Sequence, residues 1–127
     1  MSSFERKATN GVFFIPAKLG YLWGMEVFIG KFIDCPCLAI FQDEETAKRV
    51  GGIKELRQIT IGKRGRMRIS TSFPDFAGTT GTFVIVNIGS YLEVWHKIEW
   101  GSMYEKVRKE EYEAVILKIL SLGNKNA

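Results

Sequence analysis

The chain has 127 residues, 46% of them hydrophobic and 25% charged, with a net charge of +4. That is room for one compact domain, or for two small half-domains sharing a core, with the composition of a soluble globular protein rather than a disordered or fibrous one. No apolar run approaches the roughly 20 residues needed to cross a bilayer, and the opening MSSFERKATN has an acid and no apolar signal region, so a cytoplasmic protein off the membrane is expected.

In chain order, Phe4–Lys7 can form a first strand, and Gly11–Pro16 a second that the proline ends. Ala17–Trp23 is a compact helical turn, Val27–Ile29 starts a β-branched run, and Cys37–Phe41 closes the first half as a further strand. Asp43–Val50 has acids first, bases last and Gly51-Gly52 beyond, the order a short helix prefers for its dipole and C-cap. It reads as a connector over residues 43–56.

The next stretch, Ile59–Ser70, reads as a β-hairpin turning at Lys63-Arg64-Gly65-Arg66, with Gly65 supplying the positive φ. Alternation puts Ile59, Ile61, Met67 and Ile69 on a buried face and leaves Arg66 and Arg68 together on the other. Between Lys54 and Arg68 lie six bases (Lys54, Arg57, Lys63, Arg64, Arg66, Arg68) and one acid, Glu55, a local charge of +5 that leaves −1 for the remainder. A basic two-stranded ribbon fits a DNA major groove. The plainer reading is a solvated edge, since charge on an edge strand also blocks unwanted pairing.

Thr82–Ile88 and Tyr91–Trp95 form a second hairpin across Gly89-Ser90, its first strand apolar on both faces and central to the core. Ser102-Met103-Tyr104-Glu105 fits a capping box that opens a helix over 102–122, with an apolar stripe at Tyr112, Val115, Ile116, Ile119 and Leu120 and a supporting Glu105–Lys109 pair. Packed on the β core the stripe completes the fold; left uncovered, it would be a subunit contact.

The chain also repeats itself. Gly11, Ile15, Leu19, Leu22 and Gly24 correspond to Gly65, Ile69, Phe73, Phe76 and Gly78, and Leu38, Ile40 and Phe41 to Leu92, Val94 and Trp95, all at an offset of 54 (65 − 11 and 92 − 38). Two copies of a unit too small to bury its own apolar face would pack about a pseudo-twofold axis, the first over 4–42 and the second over 57–100.

Catalytic and metal chemistry find little support. His96 has no Ser, Cys or acid at a known catalytic spacing, Gly62–Gly65 lacks the spacing of a phosphate loop, and Cys35-Pro36-Cys37 with one histidine falls short of a closed zinc site. The cysteines fit better as small buried residues at a strand end. No enzyme, cofactor or metal is expected.

With these residues assembled, Ile61-Gly-Lys-Arg-Gly-Arg66, Met67-Arg-Ile-Ser70, Phe73, Phe76-Ala77-Gly78 and Tyr91-Leu-Glu-Val-Trp95 resemble the AbrB/SpoVT superfamily, in particular the MraZ proteins. The first half keeps Gly11, Ile15-Pro16-Ala17-Lys18 and Leu38-Ala-Ile-Phe41 in matching places. The departures are Gly62 where the pattern has an acid, Ala8 and Val12 where the first copy would have acid and arginine, and Ser70 where it has proline. The resemblance implies a mainly β fold, a double-split (swapped-hairpin) β-barrel of two related copies, and an oligomeric, nucleoid-associated transcriptional regulator of double-stranded DNA.

In that role Arg66 would reach base edges, Lys63, Arg64 and Arg68 would hold phosphates, and Lys18 and Arg57 would be weaker contacts of the same kind. The competing expectation is a protein-interaction or antitoxin-like barrel that has lost specific DNA binding.

Overall fold

The computed structural model describes residues 2–76, 80–103, 105, 106, 110, 114 and 117. Eight strands build the first of two compact units, Met1–Lys97. They are β1 (Ser2–Ala8), β2 (Val12–Phe14), β3 (Glu26–Phe32), β4 (Cys37–Phe41), β5 (Ile53–Thr60), β6 (Arg66–Arg68), β7 (Gly81–Asn87) and β8 (Leu92–His96). A 3-10 segment, Ala17–Leu22, follows β2, and helix α1, Glu44–Val50, joins β4 to β5. Six strands form one antiparallel sheet in the order β1-β7-β8-β4-β3-β5; β2 and β6 form a separate two-stranded ribbon.

Exchanging β1–β4 with β5–β8 maps this pairing list onto itself. β1 pairs β7 as β5 pairs β3, the hairpins β3–β4 and β7–β8 correspond, and β4–β8 and β2–β6 each pair an element with its counterpart. The partners Phe13↔Met67 and Ala39↔Glu93 both stand 54 residues apart (67 − 13 and 93 − 39).

The fold is mainly β, but the expected barrel is not closed by pairing. Its edge strands β1 and β5 do not bond to each other. Each instead turns into a short strand, β2 or β6, and those two pair, so the ribbon covers the core where an edge-to-edge ladder would have run. Phe13 and Met67, both fully buried, are its inward side chains.

One core cluster joins every layer: Phe13 and Met67 from the ribbon, Leu19 and Leu22 from the 3-10 segment, Leu38 and Ile40 from β4, Phe83 and Ile85 from β7, and Leu92 and Val94 from β8. Phe83 is fully buried and meets Phe13 and Phe76 edge-on, at centroid distances of 5.4 and 5.5 Å. Such aromatic geometry adds to the gain from burial alone. β4 is buried along its whole length because Ala39 and Phe41, on its other face, pack with Ala47 of α1, Phe28 and Tyr91.

Helix α1 begins where its sequence predicts. The Asp43 carboxylate accepts the Thr46 N–H at 2.7 Å and its hydroxyl at 2.8 Å, which holds the carboxyl below its ordinary range. Gly51 ends the helix with φ +74, and its N–H donates to Ala47 O at 3.2 Å. The connector is shorter than 43–56, since residues 53–56 already belong to β5. β7 is buried at Phe83, Val84, Ile85 and Val86, and its hairpin to β8 closes with Ile88 N–H to Tyr91 O at 3.0 Å.

The second compact unit is Ile98–Ala127. Its described residues are helical, and the helix already includes position 97, not 102. Ser102 is therefore inside the helix, its hydroxyl donating to Ile98 O at 3.2 Å instead of capping an N-terminus. The expected stripe Tyr112, Val115, Ile116, Ile119 and Leu120, together with Lys109, Ala77 and Gly78, lies outside the described residues. Among the described residues no helix is long and apolar enough to cross a membrane.

Candidate nucleic-acid interface

The basic stretch does not form the expected hairpin of its own two strands. β5 stays in the large sheet beside β3, while β6 crosses to pair with β2: Val12↔Arg68, Phe13↔Met67, Phe14↔Arg66. Ile61, Met67 and Ile69 are indeed buried and Arg66 and Arg68 exposed. Inward apolar residues on either side of a turn are compatible with any partner strand, so the pattern sets the face and not the partner.

Residues directly opposite in an antiparallel pair share a face. The outer face of the ribbon therefore carries Arg66 and Arg68 along one strand and Phe14 and Val12 along the other. Phe14 is 51% exposed.

The Gly62–Gly65 loop that leads into β6 is held from both sides. Gly65 N–H donates to Gly62 O at 2.9 Å, and Gly62 N–H to Arg66 O at 2.8 Å. Gly24 N–H donates to Gly62 O at 3.0 Å, and Ile15 N–H to Gly65 O at 2.8 Å. The Trp23 indole N–H caps Ile15 O at 3.0 Å and closes the space behind Gly65. The loop backbone is thus pinned while the side chains of Lys63 and Arg64 are exposed. At the other end of the ribbon Ile69 N–H donates to Gly11 O at 2.9 Å, the counterpart of the Ile15–Gly65 bond.

There the β1–β2 turn is Thr9-Asn10-Gly11-Val12, with Thr9 and Val12 exchanging two hydrogen bonds of 3.0 Å and φ values of +52 and +76 at Asn10 and Gly11. These are the angles of a type I′ turn, for which Asn-Gly is the strongest short signal. That dipeptide is the missed clue to the first turn.

Four of the expected contact residues, Lys63, Arg64, Arg66 and Arg68, come together on the loop and β6. Lys18 is exposed on the 3-10 segment, three residues beyond the Ile15 that bonds the loop. Arg57 is exposed on β5, opposite Ile29 in the large sheet and not on the ribbon. Among the described residues the ion pairs are Lys31–Glu55, Arg49–Glu45 and Lys97–Glu5, so none of the six candidate cations is neutralised by an acid.

The comparisons with known proteins fit this geometry. A family model described as "MraZ protein, putative antitoxin-like" matches residues 54–116, the stretch that contains β5, the loop and β6. Over those residues the chain is MraZ-like. Proteins named transcriptional regulator MraZ are similar to it: one from Alkaliphilus oremlandii is 23% identical over 91% of this chain and 92% of its own length. Others from Nitratidesulfovibrio vulgaris and Oleidesulfovibrio alaskensis are 30% and 36% identical over 58% and 53% of this chain. This MraZ-like chain spans less than half the length of those two relatives, 45% and 35%.

Away from the ribbon, Cys37 is buried at the start of β4 and Cys35 only half-buried, so one of the two departs from the expected burial. Together with Lys31, Lys54, Asp34 and Asp75 they line an open cavity of about 420 Å³. Among the described residues no three His, Cys, Asp or Glu side chains converge as metal ligands.

Burial, then the Glu93 charge, pushes the Cys37 thiol far above its ordinary 9.0; the same causes push Tyr91 up from 10.0 to about 12. Both groups are neutral when protonated, so the folded MraZ-like chain holds their protons longer than the unfolded chain and loses stability as pH rises. Melting temperature should stay level below pH 9 and fall above it as far as these groups contribute. Cys37→Ala should remove the part that begins near pH 9, and Tyr91→Phe the part between about pH 10 and 12. Parallel melting curves for the three proteins check this, and identical alkaline slopes would refute it.

Proposed function

We propose that the chain is a sequence-specific DNA-binding transcriptional regulator that places the outer face of the β2–β6 ribbon in the major groove of double-stranded DNA. The observation that carries this reading is the exposed, unneutralised set Lys63, Arg64, Arg66 and Arg68 on a hydrogen-bonded loop and a ribbon of groove-sized width. A pinned backbone limits the ordering that binding must otherwise supply.

Arg66 reads base edges, its planar fork matching guanine O6 and N7. Lys63, Arg64 and Arg68 hold phosphates and fix register, and Lys18 and Arg57 extend the phosphate contacts beyond the ribbon. The two sequence-related halves act as copies of one AbrB-like unit, of which the second carries the charge. One chain offers one cationic strand, so regulation calls for a homo-oligomer that brings several ribbons to repeated sites and gains from effective concentration. The protein works in the cytoplasm at the nucleoid.

The test is selection from a random duplex library at two salt concentrations, with wild type beside Arg66→Ala and Arg68→Ala. Wild type should enrich a motif. Arg66→Ala should weaken binding to it by about 1–3 kcal/mol, roughly 5- to 150-fold, and relax the base preference at one position. Arg68→Ala should weaken binding about equally on all sequences and lower the salt slope by about one. If no duplex is retained at low salt, the protein-interaction or antitoxin-like reading takes its place.

A further inference from the structure

We propose that Phe14 is a specificity-determining residue of the ribbon, reading the C5-methyl group of thymine beside the base pair that Arg66 contacts; this rests on the DNA-binding reading above. Phe14 and Arg66 are direct cross-strand partners on the outer face. Their Cβ atoms therefore stand about 4.5–5.5 Å apart, between one and two of the roughly 3.4 Å steps from base pair to base pair. A ribbon that brings the Arg66 fork to a guanine edge brings the Phe14 ring to a base pair one or two steps away.

The chemistry of the groove then selects its partner. Among the groups that B-DNA displays in the major groove, the thymine methyl is the one that is apolar; the rest are hydrogen-bond donors and acceptors. A phenyl ring satisfies none of those and would desolvate whichever it covered. Over a methyl it gains contact without such a loss.

Position makes this more than a stray surface residue. Single exposed apolar side chains are ordinary. This one lies on the ribbon's outer face, in a register row with a cation, and its inward neighbour Phe13 is buried in the core and fixes the strand's facing. Val12, half-buried and paired with Arg68, continues the apolar strand. The ribbon thus has a cationic strand and an apolar one, which also gives it a single preferred direction along the duplex, where two like strands would let it sit either way.

The experiment uses the full chain, the random duplex library and the duplex that wild type enriches from it. Wild type should enrich a thymine at a fixed step from a guanine. Replacing that thymine by uracil removes only the methyl and should weaken wild type about three- to fivefold, the worth of one buried methyl group. Phe14→Ala should melt as wild type does, bind the thymine duplex about three- to fivefold more weakly than wild type, keep its guanine preference, and respond equally to thymine and uracil; Phe14→Leu should retain the thymine preference.

Equal uracil penalties in wild type and Phe14→Ala, or no penalty in wild type, would overturn the assignment while leaving DNA binding through Arg66 intact. Loss of all duplex binding in a folded Phe14→Ala protein would also overturn it, since a methyl contact cannot carry the whole affinity. Wild type that binds no duplex at low salt removes both this inference and the reading beneath it.

Discussion

Phe83→Ala is expected to destabilise the fold by about 3–5 kcal/mol, the range for emptying a buried aromatic site. The ring has no exposed surface and stands edge-on between Phe13 and Phe76, with His96 at 6.1 Å on another side. These neighbours come from β2, from the segment after β6, and from β8, so no single element can slide in to fill the void. In a unit of about 100 residues each kcal/mol is worth roughly 4–8 °C, which puts the loss of melting temperature at about 12 °C or more. Phe83→Leu keeps most of the volume and should lose less than half as much. Urea unfolding of both variants measures the effect, and a Phe83→Ala cost near 1 kcal/mol would show that the three rings do not hold the ribbon to the sheet. Because Phe13 backs Phe14, the alanine variant should also weaken any ligand of the ribbon's outer face.

The elements that local chemistry specifies are legible in the amino-acid sequence alone. Asp43, the acid–base order of 44–49 and Gly51 together mark α1, and the apolar run Phe83–Val86 marks a strand buried on both faces. The inward set Ile61, Met67 and Ile69 is readable too, because period-2 alternation reports which face is buried.

What alternation cannot report is the partner. β6 bonds to residues more than 50 positions earlier, and β2 and β6 are each only three residues long. A local hairpin is therefore equivalent at the level of pattern, and Phe14, the apolar half of the proposed interface, carries no signal of its own beside the arginines. Ser102 misleads for a different reason. The Ser-x-x-Glu spacing also occurs within helices, where the hydroxyl turns back to the carbonyl four residues earlier, and helical structure from position 97 settles which case applies.

Gly65→Ala is the second substitution with a large expected effect, about 2–4 kcal/mol, and it bears directly on the interface. At φ +87 an L side chain is strained by itself, by about 1–2 kcal/mol. Its Cβ would in addition stand 2.5 Å from Trp23 Nε1 and 2.6 Å from Ile15 O. The second of these is backbone and cannot rotate away. Only a shift of the loop off Ile15 relieves it, which costs the 2.8 Å bond to Gly65 O; departure of Trp23 relieves just the first contact and costs Ile15 O its 3.0 Å bond.

The loop shift displaces the segment that carries Lys63, Arg64 and Arg66, so duplex affinity should fall at temperatures where the variant is still folded. Gly62→Ala is the control, because that residue has no positive φ and its nearest new contact is Arg66 Cβ at 3.3 Å. It should cost less than about 1 kcal/mol, the scale of a relaxed glycine substitution. Urea unfolding of both variants, followed by circular dichroism, measures the two costs. Equal costs for Gly65→Ala and Gly62→Ala would mean that the loop is not held against Ile15 and Trp23. The arginines would then be presented by a flexible turn, and base preference would have to arise after contact with DNA rather than before it.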